Sequence, residues 1–213
     1  MEIDTIIWDW NGTLLNDVDI SIEAINLLLA ARSLPLLNKE SYLQVFGFPV
    51  QDYYERIGFN FNEEPFEIPA HQYIEKYSSL VKQGKLHHDV PELLKEFENR
   101  GYKQFVLSAS EQHSLDELLK YFGIRKWFKA VAGLNNHYAE SKEEIGIHLL
   151  NRNHILPESA CLIGDTTHDF DVAHAMGCQC ILIANGHQSF EKLKETGAKV
   201  LHKLKELREF FKK

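Results

Sequence analysis

Two rhythms of apolar residues divide the chain. An apolar run at 3–8 reads as a short buried strand. It stops at Asp9, and the Asn11-Gly12 pair that follows is a turn signal, because both residues tolerate a positive φ. From 17 to 32 the spacing turns helical: Val18, Ile22, Ile25 and Leu28 or Leu29 share one face, and Asp17 or Asp19 stands where a cap belongs. Further helical stretches follow at 39–46, 50–57 and 65–83, punctuated by Gly47, Pro49, Gly58 and Pro69. No strand pattern occurs in 16–85. From 90 onward helix and strand alternate: helix 91–100, strand 103–107, helix 114–121, strand 130–132, helix 142–151, strand 160–163, helix 169–176, strand 180–184, helix 190–196 and a last amphipathic helix at 205–211. Such alternation predicts an α/β fold, a Rossmann-like parallel sheet with helices on both faces. The all-helical block directly after the first strand reads as an inserted cap. The expected division is a core of 1–15 with 87–213 and a cap of 16–86.

Composition narrows the class. The 213 residues carry a formal net charge of −8, with 44% hydrophobic and 25% charged residues, ordinary for a soluble domain. No apolar run approaches the roughly 20 residues that span a bilayer, and no basic segment followed by an apolar stretch opens the chain. The acidic balance, with basic residues concentrated only in Lys203, Lys205, Arg208, Lys212 and Lys213 at the end, argues against a nucleic-acid partner. That basic tail reads as a solvated helix face. Three cysteines, Cys161, Cys178 and Cys180, cannot all pair internally and are expected as free thiols in a reducing cytoplasm. The Cys178–Cys180 spacing is not that of a metal or redox pair.

The residues with chemistry to offer recur at strand ends: Asp9, Ser108, Lys142, and Asp165 with Asp169. In a parallel sheet all strand C-termini face one edge, so these positions converge although far apart in sequence. Three carboxylates there repel one another unless a cation sits among them, and hard oxygen ligands suit Mg²⁺. Ser108 and the backbone N–H groups after it can donate to phosphate oxygens, and Lys142 adds positive charge. Each residue alone has a plainer reading. Ser108 fits a strand-end turn, Lys142 a solvated helix start beside a Ser141 cap, and Asp165 and Asp169 the caps of the helix that follows.

Taken together, Asp9-Trp10-Asn11-Gly12-Thr13, Ser108 after an apolar strand, Lys142 before a helix, and Gly164-Asp165 with Asp169 resemble the four motifs of the haloacid dehalogenase superfamily of phosphohydrolases. The closest pattern within it is the phosphoglycolate phosphatase-like group with a helical cap. The resemblance spans the whole chain. It implies a phosphatase acting on a small phosphorylated metabolite, with Asp9 as the nucleophile that forms an aspartyl-phosphate. It further implies that Asp9, the Asn11 carbonyl and Asp165 hold Mg²⁺, that Asp169 binds a metal water or orients Lys142, and that Ser108, the Ala109 N–H and Lys142 hold the phosphoryl oxygens. Gly47, in the 46–49 loop, marks the segment that reaches substrate in capped relatives. A monomer or homodimer is expected.

One position departs from the family. Its phosphatases carry Asp two residues after the nucleophile, where this chain has Asn11. That Asp protonates the leaving alcohol and later deprotonates the attacking water, and an amide does neither. General acid–base help is worth about 10²–10⁴-fold. Three outcomes follow: another group such as His113 or His168 supplies the proton, hydrolysis is slow or confined to good leaving groups, or the chain binds a phosphorylated ligand without useful turnover. The missing acid also counts against a phosphomutase. A dinucleotide-binding module is disfavoured because the first turn lacks G-x-G-x-x-G.

Other residues carry plainer expectations. Adjacent His87 and His88 point apart on regular structure and read as a solvated hinge. His168 and His174 do not share a helix face well enough to form a metal pair. Trp10 either shields the site or packs beneath the cap. Tyr42, Phe46, Phe48, Tyr53 and Tyr54 give 41–55 an aromatic density suited either to packing within the cap or to closing over a small ligand.

Overall fold

The computed structural model describes residues 2–134 and 141–212. In chain order these form β1 (Thr5–Trp8), β2 (Leu15–Asn16), α1 (Val18–Ala31), α2 (Lys39–Val45), α3 (Val50–Arg56), α4 (Glu67–Leu80), β3 (Lys85–Leu86), α5 (Val90–Asn99), β4 (Lys103–Glu111) and α6 (Gln112–Tyr121). They continue with β5 (Ala130–Leu134), α7 (Lys142–Arg152), β6 (Ala160–Gly164), α8 (Thr167–Met176), β7 (Gln179–Ile183), α9 (Phe190–Lys194), β8 (Lys199–Leu201) and α10 (Leu207–Phe210).

The main sheet has six strands in the order β5-β4-β1-β6-β7-β8, every pair parallel. The first strand is thus a central one, flanked by β4 and β6, as its unbroken apolar run demands. Its side chains alternate between two cores. Ile6 and Trp8 join Leu93, Leu94 and Phe97 of α5 and Leu115 and Leu119 of α6. Ile7 joins Ile145 and Leu149 of α7 and Val172 and Met176 of α8 on the opposite face. A sheet buried on both faces explains why its strands read as continuous apolar runs. The α/β architecture expected from the alternation is the one found.

Between β2 and β3 lie four helices with an apolar cluster of their own, including Ile25, Leu29, Tyr42, Tyr53, Tyr54 and Phe59. Arg32 reinforces this layer: its guanidinium donates to both Glu64 oxygens at 2.7 and 2.8 Å and lies over the Phe59 ring.

The structure corrects several expectations. Leu15 pairs with Leu86 and Asn16 with Lys85 in a short antiparallel ribbon, so 16–85 is not free of strand. Two-residue strands carry no periodicity to detect. The edge strand β8 falls in 199–201, where no strand was expected, because three residues beside a polar turn make a weak pattern. The last helix is shorter than expected, with a 3₁₀ turn at Leu204–Glu206 before it. β4 continues past Leu107 to Glu111 through an irregular register, and Glu111 then caps α6 by accepting from the His113 and Ser114 N–H groups. The basic tail is not wholly solvated: Arg208 donates to Glu96 at 2.7 Å and pins α10 to α5. The three cysteines are free thiols. Among the described residues no helix is long and apolar enough to cross a membrane.

Candidate active site

The C-terminal edge of the sheet collects the motif residues. Asp9 follows β1 directly, its N–H donating to Ile163 of the neighbouring strand at 2.8 Å. Asp165 follows β6. Ser108 lies in β4 just past the buried Leu107, and its Oγ accepts the Ser110 N–H at 3.1 Å. Lys142 is the first residue of α7, whose start is fixed by a capping box between Ser141 and Glu144. Asp169 stands in the first turn of α8, where Thr166 and Asp169 form a second capping box. The capping and the active-site readings of these positions therefore coexist. The caps fix the helix starts, and the helix starts aim Lys142 and Asp169 inward.

The Lys142 ammonium sits between two carboxylates, 2.5 Å from Asp9 Oδ1 and 2.6 Å from Asp169 Oδ1. The other Asp169 oxygen accepts from the Asp165 and Thr166 N–H groups and the Thr166 hydroxyl, so both of its oxygens are engaged. Asp165 accepts from Thr13 Oγ1 at 2.8 Å and from the His187 N–H at 2.7 Å. All of these residues are buried. Asp9, Asp165 and Asp169 each present an oxygen within 4.8 Å of the others, a spacing that could hold a metal ion. Glycine at 12 and 186 makes room, since a Cβ at either would run into the Asp165 carboxylate.

Burial pushes the Asp9 carboxyl well above its ordinary range; Lys142 opposes this, and the Asp169 and Asp165 charges add to it. Burial likewise lifts Asp165 to about 6. Asp169 goes the other way: burial opposes ionisation, but Lys142 and the donors around it outweigh that and hold it below the usual range. Burial also works against the Lys142 charge, yet Asp169 and Asp9 keep the ammonium protonated beyond its ordinary value. The cluster thus carries more carboxylates than one ammonium balances, and a divalent cation fits the surplus.

Around Asn11 lies a network that the sequence did not reveal. The Asn11 amide donates to Asp17 Oδ2 at 2.8 Å and to the Tyr77 hydroxyl at 2.6 Å, while its oxygen accepts from Ser110 at 2.9 Å. Asp17 precedes α1 but does not cap it with its side chain. It accepts instead from the Gly12 N–H, Asn11, Tyr77 and His187. His187 bridges Asp17 at 3.2 Å and the Tyr42 hydroxyl at 2.8 Å. A signal for His187 existed: Asn185-Gly186 follows an apolar run, the same punctuation as Asn11-Gly12.

A cavity of about 460 Å³ opens above the cluster. Asp9, Asn11, Ser108, Ala109, Lys142 and Asp169 line its floor, and aromatic residues from α2, α3 and α4 line its walls. The remaining expectations resolve as follows. Gly47 is not among the lining residues; it faces Lys192 and Arg56, while its neighbours Phe46 and Phe48 line the cavity. His168 lines it with its ring stacked 4.5 Å from Phe48. His113 is an exposed side chain beside Glu117 and does not face the cavity. His87 is not a solvated hinge residue: its Nε2 bonds the Gly12 carbonyl at 2.9 Å, and only His88 is solvated. Trp10 is fully buried in the sheet core, its ring 6.0 Å from that of Phe122.

With that geometry in view, the relatives are informative. The profile of the family described as haloacid dehalogenase-like hydrolase matches residues 6–183, and the chain belongs to this family. A 5′-nucleotidase of Pseudomonas aeruginosa is 26% identical over 204 residues, covering 89% of this chain and 86% of that protein. A tyrosine-protein kinase of Mycobacterium tuberculosis is 23% identical over 198 residues, covering 92% of this chain and 67% of that one. Among solved structures, a haloacid dehalogenase-like hydrolase of Streptococcus pneumoniae superposes with a TM-score of 0.86 at 21% identity, covering 99% of both chains. The fold is therefore shared in full. The named activities of the two curated relatives differ from each other, so the choice of substrate has to be argued from the cavity.

Proposed function

We propose that this protein is a Mg²⁺-dependent phosphatase that hydrolyses a small phosphomonoester through an aspartyl-phosphate on Asp9. The supporting observation is the buried cluster of Asp9, Asp165 and Asp169, two of whose carboxylates, Asp9 and Asp169, hold the Lys142 ammonium at the floor of the cavity. The hard carboxylate oxygens of Asp9 and Asp165, with the Asn11 carbonyl, would hold Mg²⁺. When bound it supplies charge neutralisation to the phosphoryl group and to the cluster itself. Asp169, with both oxygens engaged, acts as the residue that positions Lys142. Ser108 and the Ala109 N–H orient the phosphoryl oxygens, and Lys142 offsets the charge that grows on them. The four-helix segment serves as a cap over the site, within the 16–86 division, and its closure excludes water from the intermediate. The substrate is a small phosphorylated metabolite, and the protein acts as a monomer or homodimer in the cytoplasm, a location in keeping with three free thiols.

Turnover of a phosphomonoester panel with and without Mg²⁺, in wild type and Asp9→Ala, tests this reading. Mg²⁺-dependent phosphate release that vanishes in Asp9→Ala is the expected result, and release that survives the substitution would overturn it. A second reading follows from the Asn11 amide, which is locked by Asp17, Tyr77 and Ser110 and has no proton to give. On that reading the protein binds a phosphorylated ligand with little turnover, and tight binding without phosphate release would favour it.

A further inference from the structure

We propose that the substrate is an aryl phosphate, a phosphomonoester whose leaving group is a phenol and which carries no second anionic group. This inference rests on the phosphatase reading above and specifies its leaving group. Three observations converge on it: the walls of the cavity, its balance of charge, and the state of Asn11.

Above Asp9 the walls are Tyr42, Phe46, Phe48, Tyr53, Tyr73 and Tyr77. Phe46 meets Tyr53 edge-on with ring centres 5.2 Å apart, and Tyr73 stacks on Tyr77 at 5.8 Å. A planar ring entering between such walls makes offset-stacked and edge-to-face contacts that a short polar chain cannot make.

Below the lip the lining offers no uncommitted cation among the described residues, and burial holds His168 below the ordinary histidine value. Lys142 is held by Asp9 and Asp169, and His187 is held by Asp17. Lys82 is exposed at the lip, with its ammonium over the Tyr121 ring. Two carboxylates, Glu111 and Glu117, line the same cavity. A substrate with a carboxylate close beside its phosphate, as in phosphoglycolate, would find no partner for that charge below the lip, where the nearest free ammonium is the exposed Lys82 and Glu111 adds a like charge.

Asn11 supplies the third argument. In the first step an Asp9 oxygen attacks phosphorus, the P–O bond to the leaving group breaks, and that oxygen departs with the electron pair. An alkoxide needs a proton at that moment, and Asn11 cannot donate one. A phenol ionises near a pKa of about 10, so phenolate leaves without the proton and takes one from water afterwards. In the second step water attacks phosphorus and Asp9 leaves as a weakly basic carboxylate. Both water protons leave on the product as dihydrogen phosphate, which then gives one to solvent. The substitution at 11 is therefore tolerable for aryl esters and costly for alkyl esters.

The experiment compares kcat/KM of the purified full chain with Mg²⁺ on phenyl phosphate, benzyl phosphate and phosphoglycolate, in wild type, Asn11→Asp and Phe48→Ala. Benzyl phosphate keeps the ring but leaves as an alkoxide, so it separates ring recognition from leaving-group chemistry. Phenyl phosphate is expected to exceed benzyl phosphate by about 10²-fold or more, the scale of a missing general acid. Asn11→Asp is expected to narrow that ratio at least tenfold. Phosphoglycolate is expected to be the poorest of the three. Phe48→Ala is expected to raise KM for phenyl phosphate roughly three- to tenfold, the worth of one aromatic contact, with kcat little changed. Equal rates on the phenyl and benzyl esters, an unchanged ratio in Asn11→Asp, or a preference for phosphoglycolate overturns the inference. If those rates still vanish in Asp9→Ala, the phosphatase reading stands without it. Absence of turnover on all three esters, or turnover independent of Asp9, overturns both.

Discussion

The floor and the walls of the cavity are built from opposite materials. The floor carries three charged side chains, Asp9, Lys142 and Asp169, with Asp165 beside them behind the lining, all buried and each held by named hydrogen bonds. The walls are rings on α2, α3, α4 and the 46–49 loop, a region with a separate apolar cluster. Buried charge is stable only in a narrow set of geometries, so the floor tolerates little change. Ring-on-ring packing is less directional, so the walls can vary in shape while the floor stays fixed. On the proposed function, the difference puts the reaction at the sheet edge and the choice of leaving group in the helices and the 46–49 loop. Substitutions in the two regions should accordingly move different kinetic constants.

The largest effect expected is at the floor. Asp9→Ala removes the oxygen proposed to attack phosphorus, and kcat should fall on the order of 10⁴–10⁶-fold, the scale seen when a nucleophile is deleted. Steady-state phosphate release checks this, with circular dichroism confirming the fold. Next in size is Lys142→Ala. The substitution takes away the cation shared by Asp9 and Asp169, and kcat should drop about 10²–10³-fold, as for loss of one charge-stabilising group. A drop confined to KM would mean that Lys142 only binds substrate, and the division between floor and walls would blur.

Much of this arrangement was legible in the sequence, and the legible parts share a cause. Asp9, Ser108 and Asp165 each follow a continuous apolar run, and the parallel sheet turns that shared local pattern into a shared place. The helix start at Lys142 was legible through its Ser141 cap, whereas α8 starts at Thr167 under a Thr166 cap, two residues before the expected start at Asp169. Asp17 and His87 were misjudged because their partners lie far along the chain: His187 is 170 residues from Asp17, and the Gly12 carbonyl is 75 residues from His87. No local pattern encodes such pairs. The β2–β3 ribbon and β8 escaped because two or three residues cannot display a period. Within the 46–49 segment it is Phe46 and Phe48 that line the cavity, while Gly47 between them faces Lys192 and Arg56.

A smaller effect on rate, with a clear effect on stability, is expected from the wall side. Leu29 is fully buried in the helical cluster. Leu29→Ala should cost about 2–5 kcal/mol, the range for a buried leucine truncated in a packed core. Because the cluster holds the rings and not the carboxylates, KM should rise while kcat on saturating substrate changes little. Urea denaturation beside a full kinetic profile checks both parts. A fall in kcat comparable to that of Lys142→Ala would show that the helices help to position the floor.

The smallest effect lies at the seam, where Tyr42 from the walls meets His187 and Asp17. Burial works against a charge on His187, but Asp17, and then Asp165 and Asp9, overcome this and raise it from 6.5 to about 9. Burial opposes the Asp17 charge too, and His187 with the Tyr77 and Asn11 hydrogen bonds outweighs it, leaving Asp17 below its ordinary 3.8. A raised histidine stabilises the fold fully below its unfolded value and loses that contribution as pH climbs through the folded one. A lowered carboxyl does the opposite, its contribution disappearing as pH falls through the lowered value. The seam should therefore be strongest between roughly pH 4 and 6.5 and should weaken toward pH 9. Charged His187 donates from both ring nitrogens, to Asp17 and to the Tyr42 oxygen, so Tyr42→Phe removes one hydrogen bond to a charged group, about 1.5–3 kcal/mol at most. Chemical denaturation at pH 6 and pH 9, in chelator so that no divalent ion intervenes, should show a stability difference in wild type that His187→Gln and Tyr42→Phe both reduce, the raised Asp9 and Asp165 carboxyls supplying the remainder as they ionise. A difference left at its full size in His187→Gln would place the titrating group elsewhere and leave the two regions joined by packing alone.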